Sequence, residues 1–200
     1  MKHKETRKKE KALIEVANAQ GGYFTAKQAL RCGYSHRIQK YHVETKHWIK
    51  EDRGLFRFDF LYSKYDEYFK AIFITRDRND LPQGVISHES ALFIHELGEI
   101  IPHKVHITVP KTYRKKFTEK KYSIFKEDLE QNEITNKEGI PLTTPIKSII
   151  DVFERIDLEQ IEKIINEASK KGYVNQHIIE TSRTQDETKR KLLNIFYRHK

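Results

Sequence analysis

Apolar positions along the first 60 residues change spacing several times, and each change marks an element. From about Glu5 to Ala19, Leu13, Val16 and Ala17 recur at helical spacing, and Gly21-Gly22 closes the segment, which predicts an amphipathic helix. Thr25 can cap a short helix running to about Leu30. A turn at Cys32, Gly33 and Tyr34 follows, where Gly33 can take positive φ, and Ser35 can cap a second helix over about His36 to Thr45. Trp48 and Ile49 then lead into a strand, Asp52, Arg53 and Gly54 supply turn chemistry, and Phe56 and Phe58 alternate with Arg57 and Asp59 on the return. Two short helices across a glycine-containing turn, followed by a hairpin, read as a winged helix-turn-helix. Its core is expected to join the first-helix residues to Leu30, Ile38, Trp48 and the two wing phenylalanines.

In the second helix, Ile38, Tyr41 and His42 share one side and are expected to pack inward, leaving His36, Arg37, Gln39 and Lys40 outward. Arginine can fork onto guanine, glutamine can pair with adenine, and lysine can hold a phosphate, so that face has the chemistry of a DNA-reading surface. The candidate DNA contacts are Thr25, Lys27, Ser35, His36, Arg37, Gln39, Lys40 and, on the wing, Arg53.

The rest of the chain mixes both periods. Tyr68, Phe69, Ile72 and Phe73 favour a helix, and Ser87 can cap another from His88 to Leu97, with Ala91, Leu92, Ile94 and His95 buried and Gly98 ending it. Val105 to Val109 alternates as a strand stopped by Pro110, a strand is expected at Tyr122 to Phe125, and shorter ones around Glu133 to Thr135 and Ile140 to Thr143. Thr144 and Pro145 begin a helix with the stripe Ile146, Ile149, Ile150 and Phe153. Asp157 begins the next, with Leu158, Ile161, Ile164 and Ile165 inward, and two more helices run over about Asn175 to Thr181 and Asp186 to Arg198. The expected fold class is α+β: a winged helix-turn-helix over residues 1–62, then a mixed α/β domain with a small sheet over 63–200.

Charge separates the same two parts. Residues 1–60 hold 14 Lys and Arg against 7 Asp and Glu, so they carry +7 of the chain's +9. That excess suits a phosphate backbone and salt-sensitive attraction. The N-terminal run Lys2, Lys4, Arg7, Lys8, Lys9 and Lys11 is either part of this footprint or a frayed, solubilising end. No apolar run approaches the roughly 18 residues needed to span a bilayer, and the N-terminus lacks a signal peptide's apolar core, so a cytoplasmic protein without membrane contact is expected. Cys32 is the single cysteine, which excludes an intrachain disulfide and a multi-thiolate zinc site. With no heptad pattern, a monomer is favoured.

A second basic segment holds Lys111, Arg114, Lys115, Lys116, Lys120 and Lys121, interleaved with Tyr113, Phe117 and Tyr122. It is either a second anionic contact, to flanking DNA or to an RNA, or a solvated hairpin.

The segments GYFTAKQAL, GYSHRIQKYHVE and GLFRF, followed in order by ISHESALFIHEL, VHITVP and PLTTPIKSIIDVF, resemble the AbiEi antitoxins of abortive-infection, type IV toxin-antitoxin systems over most of the chain. The resemblance implies a winged helix that binds double-stranded operator DNA and represses its own operon. It also implies a C-terminal domain that opposes a companion nucleotidyltransferase-like toxin without a required stable complex, with the basic segment a candidate antitoxic surface. Two departures stand out: Lys46 occupies the position where a glycine commonly follows the recognition helix, and the tail after Gly172 has no counterpart. The alternatives are a stand-alone repressor and an interaction module that neutralises a partner directly.

Catalytic readings are weaker. HESALFIH lacks the HExxH spacing, and His88 and His95 are two helical turns apart, too far for one metal. Ser87, His88 and Glu89 are neighbours that point in different directions, which opposes a triad. Glu119-Lys120-Lys121 resembles a nuclease element, yet no acidic residue lies between Ile100 and Thr118. No catalytic residues, metal or cofactor are expected.

Overall fold

A computed structural model of the chain describes residues 2–115 and 120–198, with side chains from residue 5 onward. Among the described residues there are nine α-helices and two sheets, an α+β architecture. They fall into two compact units, Met1–Gly84 with Glu138–Ile140, and Val85–Lys137 with Pro141–Lys200.

The first unit contains α1 (Lys2–Asn18), β1 (Tyr23–Thr25), α2 (Ala26–Arg31), α3 (His36–Glu44), β2 (Trp48–Asp52), β3 (Leu55–Phe58) and α4 (Asp66–Ile74). The basic N-terminal run is thus helical rather than frayed. β1 is too short to show a period, but it pairs antiparallel with β3, with Tyr23 opposite Arg57, and gives the sheet order β1-β3-β2. On one face of this sheet Phe24 packs edge-on against Trp48 at 4.8 Å and against Phe58 at 4.9 Å, over Leu13 and Ala17. Leu30, expected in this core, is exposed. Ala26 and Ala29 instead give the six-residue α2 a small inward side that lets it lie close.

The other face of the sheet is covered as well, which explains why the first unit runs to Gly84 and not to residue 62. Arg57, which alternates with the core phenylalanines, is buried on this second face: its Nε lies 3.2 Å from Glu51 Oε1, and Lys70 of α4 reaches Glu51 Oε2 at 3.0 Å. Tyr23 stacks on Phe73 of the same helix at 6.1 Å. α4, assigned by sequence to the second domain, therefore packs with the first. Matching a buried arginine to a carboxylate also keeps Glu51 ionised: its two cations outweigh burial and hold its pKa below the ordinary value.

The second unit contains β4 (Val85–Ile86), α5 (His88–His95), β5 (Val105–Val109), β6 (Tyr122–Lys126), β7 (Ile134–Lys137), β8 (Ile140–Thr143), α6 (Pro145–Val152), α7 (Leu158–Lys170), α8 (Gln176–Thr181) and α9 (Asp186–Arg198). Its sheet has the order β6-β5-β4-β8-β7, with β4 antiparallel to β5 but parallel to β8, and β5 parallel to β6. Leu92, Leu97, Ile149, Ile161, Ile164, Ile165, Leu192 and Phe196 form the helical core. Asp157 caps α7 by accepting from Gln160 N at 2.8 Å. Leu158, expected inward, is exposed at the first helical position, before the buried stripe begins.

Candidate nucleic-acid interface

Local hydrogen bonding fixes α2 and α3 before any tertiary packing is considered. Thr25 accepts from Gln28 N at 3.2 Å while Gln28 Oε1 accepts from Thr25 N at 2.8 Å, a reciprocal capping box that satisfies two backbone donors. Gly33 turns the chain with φ of 90°, and Ser35 accepts from Ile38 N at 3.4 Å to cap α3. Beyond α3, Lys46 has φ of 61°, a left-handed backbone that a side chain disfavours.

The inward side of α3 is not the one that apolar spacing predicted. Gln39, expected to face DNA, is 3% exposed, and its Nε2 donates to Ala26 O at 3.1 Å and Tyr34 O at 2.9 Å. One side-chain amide thus ties α3 to the start of α2 and to the turn between them. His42 supports the same side by stacking on Trp48 at 4.7 Å, with an interplanar angle of 14°. Burial, followed by the nearby His47, lowers the His42 pKa, so the ring packs as neutral imidazole.

With Gln39, His42 and Val43 turned inward, helical geometry points Arg37, Tyr41 and Glu44 outward, with His36, Lys40 and Ile38 on the flanks. Ile38 and Tyr41 were expected in the core, yet they are 42% and 57% exposed. Lys40 lies 3.6 Å from Glu44, an exposed i,i+4 pair that offers little resistance to rearrangement.

The hairpin of β2 and β3 carries a bulge between Lys50 and Asp52 and turns at Gly54, with φ of 69°. Arg53 is exposed at its tip. Gly54 O accepts from Ala26 N at 2.9 Å, and Arg53 O accepts from Arg76, so the turn is fixed to α2 and to the end of α4. Thr25 is buried and donates to Asp80, so it serves as a cap and not as a DNA contact. Lys27 is exposed, with Nζ donating to Arg78 O. Of the sequence-predicted set, the structure brings Ser35, His36, Arg37 and Lys40 to the surface of one helix and its cap. It leaves Lys27 and Arg53 exposed on neighbouring elements and removes Thr25 and Gln39.

In the second unit the basic segment is a connection between parallel strands, not a hairpin, as the pairing of β5 with β6 requires. Lys111, Arg114, Lys115 and Lys120 are exposed there, and Lys121 Nζ sits 5.2 Å from the Tyr122 ring centre. Lys116 lies outside the described residues, as do Phe117 and Glu119.

Sequence reading missed a polar network beneath α5 and α6. Ser87 is fully buried, and its hydroxyl makes no capping bond. It accepts from Thr108 Oγ1 at 2.8 Å and lies 2.9 Å from His88 Nδ1. Lys147 Nζ contacts Asp151 Oδ1 at 2.6 Å and Glu127 Oε2 at 2.8 Å, and Arg183 reaches Glu127 at 3.0 Å and Glu133 at 2.8 Å. Burial, reinforced by Arg155, depresses the His88 pKa to about 3; burial also raises Asp151 to about 6 against the opposing pull of Lys147. Asp151 Oδ2 approaches His88 at 3.9 Å through Nδ1, the nitrogen that also faces Ser87. A hydroxyl-imidazole-carboxylate relay needs the two different ring nitrogens, so this geometry does not form one.

No family model matches the chain, and no curated protein matches it. Among the described residues, no group of three or more His, Cys, Asp or Glu could hold a metal ion, and no helix is long and apolar enough to cross a membrane. The i, i+3, i+4 spacing of Gln39, His42 and Val43 was a legible signal for the inward side of α3, had a buried glutamine been allowed. The network under α5 was visible only as separate His, Ser and Asp residues.

Proposed function

We propose that this chain is an antitoxin and transcriptional autorepressor, acting in the cytoplasm, whose first unit works as a winged helix-turn-helix on double-stranded operator DNA. α3 would lie in the major groove, Arg37 would read a base, Lys40 and His36 would hold phosphates, and Arg53 would bring the β2–β3 hairpin to the backbone or minor groove. The observation that supports this most is the outward face of α3: cationic, exposed, and held on a helix locked by the Gln39 amide. A rigid support matters because base contacts discriminate only when their donors are already positioned.

The resemblance to the AbiEi antitoxins supports the second half of the proposal, in which the second unit opposes a nucleotidyltransferase-like toxin encoded beside it. A reporter driven by the chain's own upstream DNA, co-expressed with the product of the adjacent reading frame, separates the two activities. Arg37→Ala should derepress the reporter, with a loss of about 1–3 kcal/mol in operator binding, while still rescuing growth. Full repression by that variant would remove Arg37 from the reading surface. A neighbouring product without toxicity would leave a stand-alone repressor. The exposed Ile38 and Tyr41 give some support to a third reading, direct neutralisation of a protein partner, and a salt-resistant complex with no operator preference would favour it.

A further inference from the structure

We infer that α3 reads thymine, through the C5 methyl groups that Ile38 and Tyr41 would meet in the major groove; this rests on the DNA-binding reading above. Its starting point is an inversion on α3. A glutamine occupies the core side of the helix, while isoleucine and tyrosine, either of which would fill a core site, stand on the surface three residues apart. The inward glutamine has a structural reason, since it satisfies two carbonyls. The outward isoleucine keeps 42% of its surface exposed, and a β-branched residue does not raise helix propensity.

Charge selects the occupant of this strip. Arg37 and Lys40 lie along one side of the strip formed by Tyr41 and Ile38, and the one acid on the face, Glu44, lies beside Lys40 in an exposed pair. An apolar strip bordered by cations fits a polyanion that presents apolar groups at the depth of a helix. B-form DNA offers one such group in its major groove, the thymine methyl, while the other base edges present hydrogen-bonding atoms. Ile38 therefore contributes specificity by contact and exclusion of water, and Arg37 contributes it by hydrogen bonding. The expected operator carries thymine at the one or two positions under Ile38 and Tyr41, beside the base that Arg37 contacts.

Replacing thymine by deoxyuridine deletes only the methyl and leaves pairing unchanged, so it tests the idea directly. The full chain would first select a duplex from a random-sequence library, and the selected duplex would then be resynthesised with single deoxyuridine substitutions. One or two positions should each weaken binding about fourfold, which corresponds to ~0.8 kcal/mol for a buried methyl. At the position under Ile38, Ile38→Ala should bind the thymine and deoxyuridine duplexes equally, whereas Ile38→Val and Arg37→Ala should keep the preference. A selected duplex that tolerates every deoxyuridine substitution would overturn thymine reading while leaving DNA reading intact. Failure to select any sequence would overturn both.

Discussion

On α3 of the first unit, Arg37 and Lys40 stand at the surface with Ile38 and Tyr41 beside them. Under α5 and α6 of the second unit, Lys147, Asp151, Glu127 and His88 are packed against one another. Both regions are rich in charge, and composition alone treats them alike. They differ in where the opposite charge is found. In the second unit it is supplied internally, so those residues hold the fold together and have little left for a ligand. On α3 the internal acid is Glu44, which meets Lys40 only in an exposed pair and leaves Arg37's charge in excess on the face, so a polyanion from outside would complete it. Burial and partners, rather than residue type, decide which basic residues are candidates for binding.

The largest break of this contrast is expected at Lys147. Lys147→Ala would leave buried Asp151 without its cation and Glu127 with Arg183 alone, and denaturant unfolding should show a loss of about 3–5 kcal/mol in the second unit. Operator affinity measured on the folded variant should stay within twofold, as expected for a residue used internally. A stable Lys147→Ala protein would mean that the network contributes little.

Next in size is Gln39, the polar residue of α3 that is internal. Gln39→Ala leaves the Ala26 and Tyr34 carbonyls without their donor and should destabilise the first unit by about 1–3 kcal/mol. Arg37→Ala, two residues away on the outer side, should leave stability within about 0.5 kcal/mol. Thermal unfolding of the two variants side by side checks the orientation of the helix, and equal stability of both would contradict it.

Acid should also act on the second unit. Folded His88, held near pKa 3 against an ordinary 6.5, contributes stability that is complete above 6.5 and is lost as pH falls toward 3. Between pH 7 and 5 this removes about 2 kcal/mol. Asp151 acts in the opposite direction, because its carboxyl is raised from 3.8 to about 6 in the fold and favours the protonated form. Its contribution is lost as pH rises through 6, so acidification restores about 1 kcal/mol. His88→Asn, suited to the left-handed backbone at this site, where φ is 53°, should abolish the acid loss and leave a flat or slightly rising profile. An unchanged profile would show that another group controls the acid response.

The smallest expected effect is at Lys46. Lys46→Gly relieves a left-handed backbone between α3 and the hairpin and should stabilise the first unit by roughly 0.5–1 kcal/mol, read as a small rise in melting temperature.

Much of the fold was legible because it rests on local chemistry. Thr25, Ser35 and Asp157 cap where their positions before helical patterns indicate, and Gly33 and Gly54 turn the chain where they fall. What stayed hidden depends on long-range pairing. β1 owes its existence to β3, and burial of Arg57 depends on Glu51 and on α4 beyond it. The parallel run of β5 and β6, which makes the basic segment a crossover, has no local signature. For the candidate site, Arg37 and Lys40 were found by residue type. Gln39 and Ile38 were exchanged, because hydrophobic periodicity assigns an inward role to isoleucine and cannot see two carbonyls awaiting a donor.

The most direct test is fluorescence anisotropy of the full chain on its own upstream DNA and on a scrambled duplex across a salt series. A preference of roughly a thousandfold or more that persists at physiological salt is the predicted result, since base reading by α3 adds to the phosphate attraction. Equal binding to both duplexes, falling together as salt rises, would contradict the account and reduce the first unit to an electrostatic anchor.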